Sequence, residues 1–503
     1  MPRIPLLSGT RLVIASAPDD AVVLAPPLPH GRAADVGAAV RDALRFPLGG
    51  EPLEALARGA RRAAILVEPP ALPIPGVTAD PRQLAVGAVV DALERLGIAT
   101  GYQTIVAAAG LARKPSQREV ASLVTPELAR RFHGRVVVHD VEDPALVTLD
   151  AGAGELRVNP VLAETDLVVV VGAAETVLHG GPGTLLASSG AETLRSAGAN
   201  SLLETGGSDG WEIGLALERA LGAHVRLFGV SLVLDPPVTS GLLRGYPYDP
   251  AAIERIARSP LRLGFSALPG PMRRRLLHSL PVEITGAAAY AGPPSVAHAE
   301  ALLRTVERRL TEVGEPLDAL VIGVPGTTPY LPRERPNPLL VAYLGLGLAL
   351  RLWRNAFPIA DGGTAILLNR FVRHFSHPTQ QPYRAFFHAT RGGRDPEAIA
   401  AGERAAAADA RALEAYRAGL GVHPLLPFRD WDACRPALDR LGAVFVAGAR
   451  DADAVRQLGF VPAHGVGAAL EMARGRAGGE PRIGFLLAPP YFPLAVGSGP
   501  SGA

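Results

Sequence analysis

The chain has 503 residues, enough for two or more domains that each bury a core of their own. Its formal net charge of +2 creates no field that would gather nucleic acid, and the single cysteine, Cys434, excludes an intramolecular disulfide framework and a cysteine-based zinc site. Lys114 is the one lysine among 50 basic residues, so chemistry that needs a lysine amine has one candidate.

The first twenty residues lack the charged, apolar and small-residue segments of a signal peptide, and the longest apolar run, residues 339–350, is too short to cross a bilayer. We therefore expect a cytoplasmic protein with neither a membrane nor a nucleic-acid partner. The sequence leaves a homo-oligomer open.

Strands and helices alternate through the first half of the chain. Asp80 and Pro81 are typical of a helix start and predict a helix to residue 96, and Ser116 with Glu119 predicts a capping box. A further helix is predicted at 211–221. The predicted strands cover residues 62–67, 104–108, 135–138, 167–171 and 224–234.

The second half repeats the alternation. Helices are predicted at 298–313, 339–354, 396–419 and 468–473, and strands at 319–323, 365–369, 443–447 and 482–487. Residues 371–395 are expected to form an irregular, His-rich insert, and residues 497–503 a disordered tail. The pattern predicts two α/β domains with mostly parallel sheets, at 1–275 and 287–496, and an interdomain cleft.

The most informative segment is the apolar run 167–171 and the glycine-rich loop after it. Ligands bind beyond the carboxyl ends of strands in open α/β sheets, and glycines there let backbone N–H groups approach an anion. We expect His179 to act as a general base and Glu175 to be catalytic, with the anion held by Arg113, Lys114, Gly181 and Gly183. The alternative is that Arg113 and Lys114 are solvated and Glu175 caps a helix.

Two further clusters could bind substrate. Arg333 and Arg335 stand before the predicted helix at 339–354 and suit carboxylate binding, although a charged surface turn would show the same residues. His374, His377 and His388 lie among arginines and aromatic residues in the insert. They fit a relocated active site or a packed insert, and the spacing is a weak metal signal, so we assign no metal ligand.

Residues 46–59 resemble the N-terminal segment of the lactate racemase family, the nickel-pincer-nucleotide 2-hydroxyacid racemases and epimerases. The resemblance continues in order through 72–75, 110–119, 175–183, 325–344, 443–473 and 482–496. It implies two α/β domains with the site in the cleft between them. The positions that match the family are Arg113, Pro115, Ser116, Glu175, Gly181, Gly183, Asn200 and Asn337.

The chain departs from this family at the residues that carry its chemistry. Residues 184–187 read Thr-Leu-Leu-Ala where the family has the lysine that tethers the cofactor, and residues 199–201 read Ala-Asn-Ser where it has a nickel-binding histidine. The family's second-domain lysine falls near Tyr343, and we count Tyr343 and Asn337 among the expected substrate-binding residues. We therefore do not expect a nickel-pincer nucleotide, because apolar and small side chains neither tether nor coordinate it.

The sequence thus predicts a lactate-racemase-like protein that binds a small hydroxy acid or related anion in its interdomain cleft, without pincer-nickel chemistry. Whether it is an enzyme stays open on this isomerase-type scaffold. The alternatives are a non-catalytic binding or regulatory paralogue, and a different enzyme that uses His374, His377 and His388.

Overall fold

The computed structural model describes residues 2–29, 34–70, 72, 80–151, 154–327, 335–375, 377–389 and 395–497. For residue 242 it describes the backbone only. Arg333 and the tail beyond residue 497 lie outside these residues. Among the helices of the described ranges, none combines the length and apolar character that a membrane crossing requires.

The strands are numbered in chain order. They are β1 (Arg3–Ser8), β2 (Arg11–Ser16), β3 (Val22–Leu24), β4 (Ala63–Val67), β5 (Gln103–Ala107), β6 (Arg135–Val138), β7 (Val147–Asp150), β8 (Glu155–Val158), β9 (Leu167–Ala173), β10 (Arg226–Leu234), β11 (Val238–Thr239), β12 (Val282–Glu283), β13 (Gly286–Gly292), β14 (Thr311–Gly314), β15 (Leu317–Gly323), β16 (Trp353–Arg354), β17 (Ile359–Leu368), β18 (Ala443–Ala447), β19 (Val461–Ala463), β20 (Ile483–Leu486) and β21 (Leu494–Val496).

The α-helices are numbered in the same way. They are α1 (Val36–Arg45), α2 (Leu53–Ala57), α3 (Pro81–Arg95), α4 (Gln117–Ala121), α5 (Pro126–Arg131), α6 (Pro160–Ala163), α7 (Pro182–Ala187), α8 (Ala191–Ser196), α9 (Asp209–Gly222), α10 (Pro250–Arg258), α11 (Leu261–Ala267), α12 (Gly270–Ser279), α13 (Pro294–Arg309), α14 (Pro338–Ala342), α15 (Gln381–Ala389), α16 (Pro396–Ala407), α17 (Ala410–Arg417), α18 (Leu426–Asp432), α19 (Arg435–Leu438), α20 (Ala452–Gln457) and α21 (Val466–Ala477).

Two six-stranded sheets organise the fold. The first has the order β13-β10-β9-β4-β5-β6, in which β13 alone runs antiparallel to its neighbour. The second has the order β19-β18-β17-β15-β20-β3 and is parallel throughout. The predicted α/β class with mostly parallel sheets is confirmed.

The first sheet is buried on both faces, which explains why its strands read as continuous apolar runs. In β4, Ile65 and Val67 point into one core cluster, while Ala64 and Leu66 point into another. Successive side chains of a strand point to opposite faces, so one uninterrupted apolar stretch contributes residues to two separate cores. The cluster that contains Leu66 also contains Leu320 of the second sheet, so a shared apolar core joins the two sheets.

Local signals in the sequence predict several helix starts correctly. Asp80 accepts a hydrogen bond from the Arg82 N–H at the start of α3. Ser116 and Glu119 form the predicted capping box on α4, with both reciprocal hydrogen bonds present.

Four predicted segments differ in the structure. The helix predicted at 298–313 ends at Arg309, and Thr311–Gly314 form strand β14 instead. The helix predicted at 339–354 is α-helical only to Ala342, then π-helical at 343–348, where a Cβ on Gly345 would come within 2.5 Å of Leu367. The helix predicted at 396–419 breaks between α16 and α17, because Asp409 caps a new helix. The insert expected to be irregular contains the nine-residue helix α15.

Candidate functional site

A cavity lies at the edge of the first sheet where β4, β5 and β9 end. The loops that follow these strands, helices α7 and α8, and helix α18 from the second half of the chain line it. Its lining residues are Glu68, Pro69, Pro70, 108–112, Leu178, His179, Gly183, Leu186, Ala187, Leu194, Leu426 and Arg429. This is the edge of the sheet at which the sequence predicts a ligand site.

His179 and Glu68 form the polar centre of this cavity. The His179 Nδ1 lies 2.6 Å from the Glu68 Oε1. The other carboxylate oxygen accepts hydrogen bonds from the Gly180 N–H at 3.1 Å and the Thr184 hydroxyl at 3.2 Å. Because the carboxylate accepts a hydrogen bond from the Nδ1–H, Nε2 of the neutral imidazole is left as a hydrogen-bond acceptor.

The loop that carries His179 rests on a buried histidine of α13. The His298 Nε2 donates to the Thr176 carbonyl at 2.9 Å, and burial lowers the pKa of His298 to about 4. Gly181 has φ of +51°, and a Cβ on it would lie 2.4 Å from the His298 Cβ. This close approach requires glycine and fixes the backbone beside His179.

Glu175 is buried next to a different group of charges. Its Oε1 lies 3.6 Å from the Arg82 Nη1, and its Oε2 accepts from the Leu72 N–H at 3.4 Å. Burial opposes the charge of Arg82, but the carboxylates of Asp80 and Glu175 outweigh it and raise its pKa. Glu175 is not among the described residues that line the cavity. The structure places it instead in a buried ion pair with Arg82.

Arg113 and Lys114 both have partners inside the protein. The Arg113 guanidinium binds Glu119 at 2.7 Å, and the Lys114 Nζ binds Asp140 at 2.7 Å and the Arg417 carbonyl at 3.2 Å. Hydrogen bonding to Lys114 outweighs burial and lowers the pKa of Asp140. Neither cation is among the described lining residues of the cavity.

Gly183 does contribute to the cavity wall, and a Cβ on it would lie 2.4 Å from the Leu178 carbonyl oxygen. Gly181 instead supports the loop through its contact with His298. Both glycines therefore allow close backbone packing at the site, as the glycine-rich pattern indicates.

Arg429 is a residue of the cavity that sequence reasoning missed. It lies on α18, where Leu426, Phe428 and Trp431 are all buried. Within the described part of the chain, its guanidinium has no hydrogen-bond or ion-pair partner. The helix also contains Asp430 and Asp432, so the sequence around Arg429 does not distinguish it from the many arginines of amphipathic helices. Glu68 was missed as well, although it directly follows a buried strand.

The second-half candidates fall into separate places. Asn337 caps α14, accepting from the Leu340 N–H at 3.0 Å, and Tyr343 is buried at the start of the π-helical turn. Arg335 and His374 line another cavity, at the carboxyl end of the second sheet.

The other insert histidines lie apart from both cavities. His377 caps the 3₁₀ turn 378–380 and its Nδ1 lies 2.8 Å from the Thr379 hydroxyl, whereas His388 is exposed near the end of α15. In the ranges that the structure covers, no group of three or more His, Cys, Asp or Glu side chains is placed to hold a metal ion.

Comparisons with known proteins agree with this architecture. Residues 10–181 match the family described as the lactate racemase N-terminal domain. The solved structure of the lactate racemase apoprotein from Thermoanaerobacterium thermosaccharolyticum is similar with a TM-score of 0.61 at 16% identity, covering 98% of this chain and 100% of that one. A protein from Thermotoga maritima has a TM-score of 0.49 at 13% identity, covering 90% and 99%. No curated protein sequence matches the chain.

The resemblance predicted from the sequence motifs is therefore confirmed. Residues 10–181 match the lactate racemase N-terminal domain, and along nearly its whole length the chain has a fold similar to that of the lactate racemase apoprotein.

Proposed function

We propose that the cavity beside His179 binds a small 2-hydroxy carboxylate. The observation that carries this proposal is a guanidinium, Arg429, that has no partner among the described residues and lines the same cavity as an imidazole oriented by Glu68. The oxygens of Glu68 are already bound to His179, Gly180 and Thr184, so the groups left for a ligand are one guanidinium and one imidazole nitrogen, which suit one carboxylate and one hydroxyl group.

Arg429 takes the carboxylate in this proposal. A guanidinium presents paired N–H donors that match the two oxygens of a carboxylate, and such charge-assisted bonds are about twice as strong as neutral ones. The helix that carries Arg429 belongs to the second half of the chain, and α18 packs against α14 and α15. A bound carboxylate would therefore bridge the two halves of the molecule.

His179 takes the hydroxyl group. Because Nδ1 donates to Glu68, Nε2 is the acceptor and can receive the hydrogen of a 2-hydroxyl group. Removal of the hydroxyl proton alone would not invert C2, because inversion also requires the C2 hydrogen to leave and return, so this contact accounts for binding rather than for turnover. Glu68 is held in turn by Gly180 and Thr184, so the pair is preorganised.

The remaining cavity wall sets the size of the ligand. Alanine and leucine side chains line it, among them Ala108, Leu111, Leu186 and Leu194. This apolar wall favours a short alkyl group over a second charged group, because a buried charge without a partner is costly.

The residues here do not fit the lysine-tethered nickel-pincer nucleotide that the lactate racemase fold implies. Residues 184–187 carry no amine and are buried in α7, where Thr184 binds Glu68. Lys114, the one lysine, is bound to Asp140 and is not among the described lining residues of this cavity.

Calorimetric titration of the full-length protein tests the binding proposal. We expect D- or L-lactate to bind more tightly than propionate, which lacks the hydroxyl group, and Arg429→Gln to weaken lactate binding about tenfold or more. Arg435→Gln, on the exposed surface of the adjacent helix, is the matched control and should leave binding unchanged. Equal affinities for lactate and propionate, or an unaffected Arg429→Gln variant, would contradict the assignment.

Formation of the opposite lactate enantiomer then separates an isomerase from a binding protein. Racemisation that disappears in His179→Ala would support an isomerase, whereas tight binding without turnover would favour the non-catalytic paralogue. Chiral chromatography of lactate after prolonged incubation measures the difference directly.

A further inference from the structure

Five arginines surround a second cavity, at the carboxyl end of the second sheet. Arg370 follows β17, Arg11 begins β2, Arg273 and Arg274 lie on α12, and Arg335 precedes α14. The cavity has a volume of about 130 Å³. Segments far apart in sequence thus bring the same type of charge to one place.

No acidic side chain among the described residues neutralises this cluster. Ion pairs elsewhere do hold arginines, such as Arg308 with Asp235 and Arg195 with Glu403, but none within the described ranges involves the five arginines of this cavity. Burial and the charge of Arg11 lower the pKa of Arg370 and of Arg273. Since like charges at close range destabilise a fold, the arrangement indicates an anion that the site is built to hold.

Arg273 gives the site a rigid base. Its side chain is nearly buried, with 5% of the residue exposed, and its Nη1 donates to the carbonyl oxygens of Ser266 and Leu268. The Nε atoms of Arg273 and Arg11 are buried without a partner in the described structure. The Arg273 guanidinium is therefore positioned before any ligand arrives, and both arginines have a donor still to be satisfied.

An apolar cavity continues from the arginine cavity. The two share Gly9, Thr10, Arg274 and Gly326 in their walls. Beyond these residues the wall becomes apolar, with Leu7, Leu243, Tyr246, Leu277 and Pro489. A ligand that fills both cavities would have one highly charged end and one apolar end.

We propose that these joined cavities bind a small phosphate monoester with an apolar body. A phosphate group has two negative charges and three terminal oxygens, so it can engage several guanidiniums at once, which a single carboxylate cannot do. The apolar body would lie against Leu277 and Leu243. This site is independent of the proposed 2-hydroxy carboxylate site, because the two cavities share no lining residue.

Calorimetry with three probes tests the ligand class on the full-length protein. Phenyl phosphate should bind more tightly than inorganic phosphate, since it also fills the apolar cavity, and inorganic phosphate should bind more tightly than benzoate. If benzoate matches phenyl phosphate, the phosphate assignment is wrong. If neither phosphate probe binds at millimolar concentration, the site itself is wrong.

Variants assign the two ends of the site. Arg370→Gln and Arg11→Gln should each weaken both phosphate probes about tenfold or more, and Leu277→Ala should weaken phenyl phosphate while leaving inorganic phosphate unchanged. Arg373→Gln is the control, because Arg373 is exposed and paired with Asp451. Unchanged phosphate affinity in Arg370→Gln and Arg11→Gln would overturn the proposal.

Two further measurements keep the result interpretable. The melting temperature of Arg370→Gln should equal or exceed that of the unmodified protein, because the substitution removes one of the like charges. A loss of phosphate binding in this variant could then not be attributed to unfolding. Arg429→Gln should leave phosphate binding intact, which distinguishes failure of this site from failure of the lactate site.

Discussion

Two buried histidines should make the stability of this protein depend strongly on pH. Burial lowers the pKa of His298 and of His139 to about 4. Each ring has a fixed tautomer: Nε2 of His298 donates to the Thr176 carbonyl, and Nε2 of His139 donates to the Ser189 carbonyl. An unfolded histidine titrates near pH 6.5, so each residue gains a proton more easily in the unfolded chain.

The sign and size of the effect follow from this difference. As the pH falls below about 6.5, the two histidines bind protons in the unfolded chain but not in the folded chain. The free energy of unfolding therefore decreases until the pH reaches their pKa in the folded protein, about 4. Between pH 7.5 and 5, each of the two histidines should cost about 2 kcal/mol of unfolding free energy, or about 4 kcal/mol together. This loss precedes the protonation of carboxylates such as Asp140, whose pKa is lowered.

The assay compares the native protein with the double variant His139→Gln/His298→Gln by urea unfolding at pH 7.5, 6 and 5. Glutamine can retain the donor that each Nε2 supplies but cannot titrate. Burial raises the pKa of Glu218, so this residue makes both proteins more stable as the pH falls. The quantity to compare is therefore the difference between the two proteins in how steeply the free energy of unfolding changes with pH. An equally steep loss of stability in the double variant would refute the reasoning.

Three further outcomes are expected. Gly181→Ala should lower the free energy of unfolding by more than about 2 kcal/mol, because the φ of Gly181 is +51° and the new Cβ would meet His298. Gly206→Ala is the control and should leave the free energy of unfolding nearly unchanged, because the space around Gly206 is open. Equal losses of stability for the two variants in thermal denaturation would contradict this. Glu68→Gln should weaken lactate binding about tenfold in calorimetry, because the imidazole that it orients loses its fixed tautomer. Cys434 is fully buried with its pKa raised by burial, so a thiol reagent should label it only after unfolding, and rapid labelling of folded protein would be inconsistent with this packing.

Local patterns were sufficient to predict much of the fold. The apolar run at 167–171 is part of β9 and lies at the centre of the first sheet, because a strand buried on both faces needs apolar residues at every position. The caps at Asp80 and Ser116 were predicted because each side chain bonds to a backbone N–H two or three residues away.

The candidate site was harder to predict because its contacts are not local. His179 was selected from the glycine-rich loop, but its partner Glu68 lies 111 residues earlier. The two meet because β4 and β9 are neighbours in the sheet, and strand order cannot be read from either segment alone. Arg429 arrives from α18 in the second half of the chain, which only the packing of the two sheets brings to the cavity.

The same limit applies to the insert histidines. They are close together along the chain, but His377 caps the 3₁₀ turn before α15, whereas His388 lies in the last turn of that helix. His374 and Arg335 lie instead with arginines from β2 and α12. Histidines that are close together in the sequence therefore lie in different surroundings in the folded protein.

The short strand β3 has consequences for how this chain can be divided and made. It closes the edge of the second sheet by pairing Val22–Leu24 with β20, whose residues lie near the other end of the sequence. During synthesis β3, the third strand in chain order, must wait for β20 before it can pair, while the first sheet assembles from the residues between them. A fragment that begins at residue 287 would therefore expose the β20 edge and invite intermolecular pairing. Adding residues 2–29 as a separate peptide should restore solubility by strand complementation, so the two ends of the chain form one folding unit.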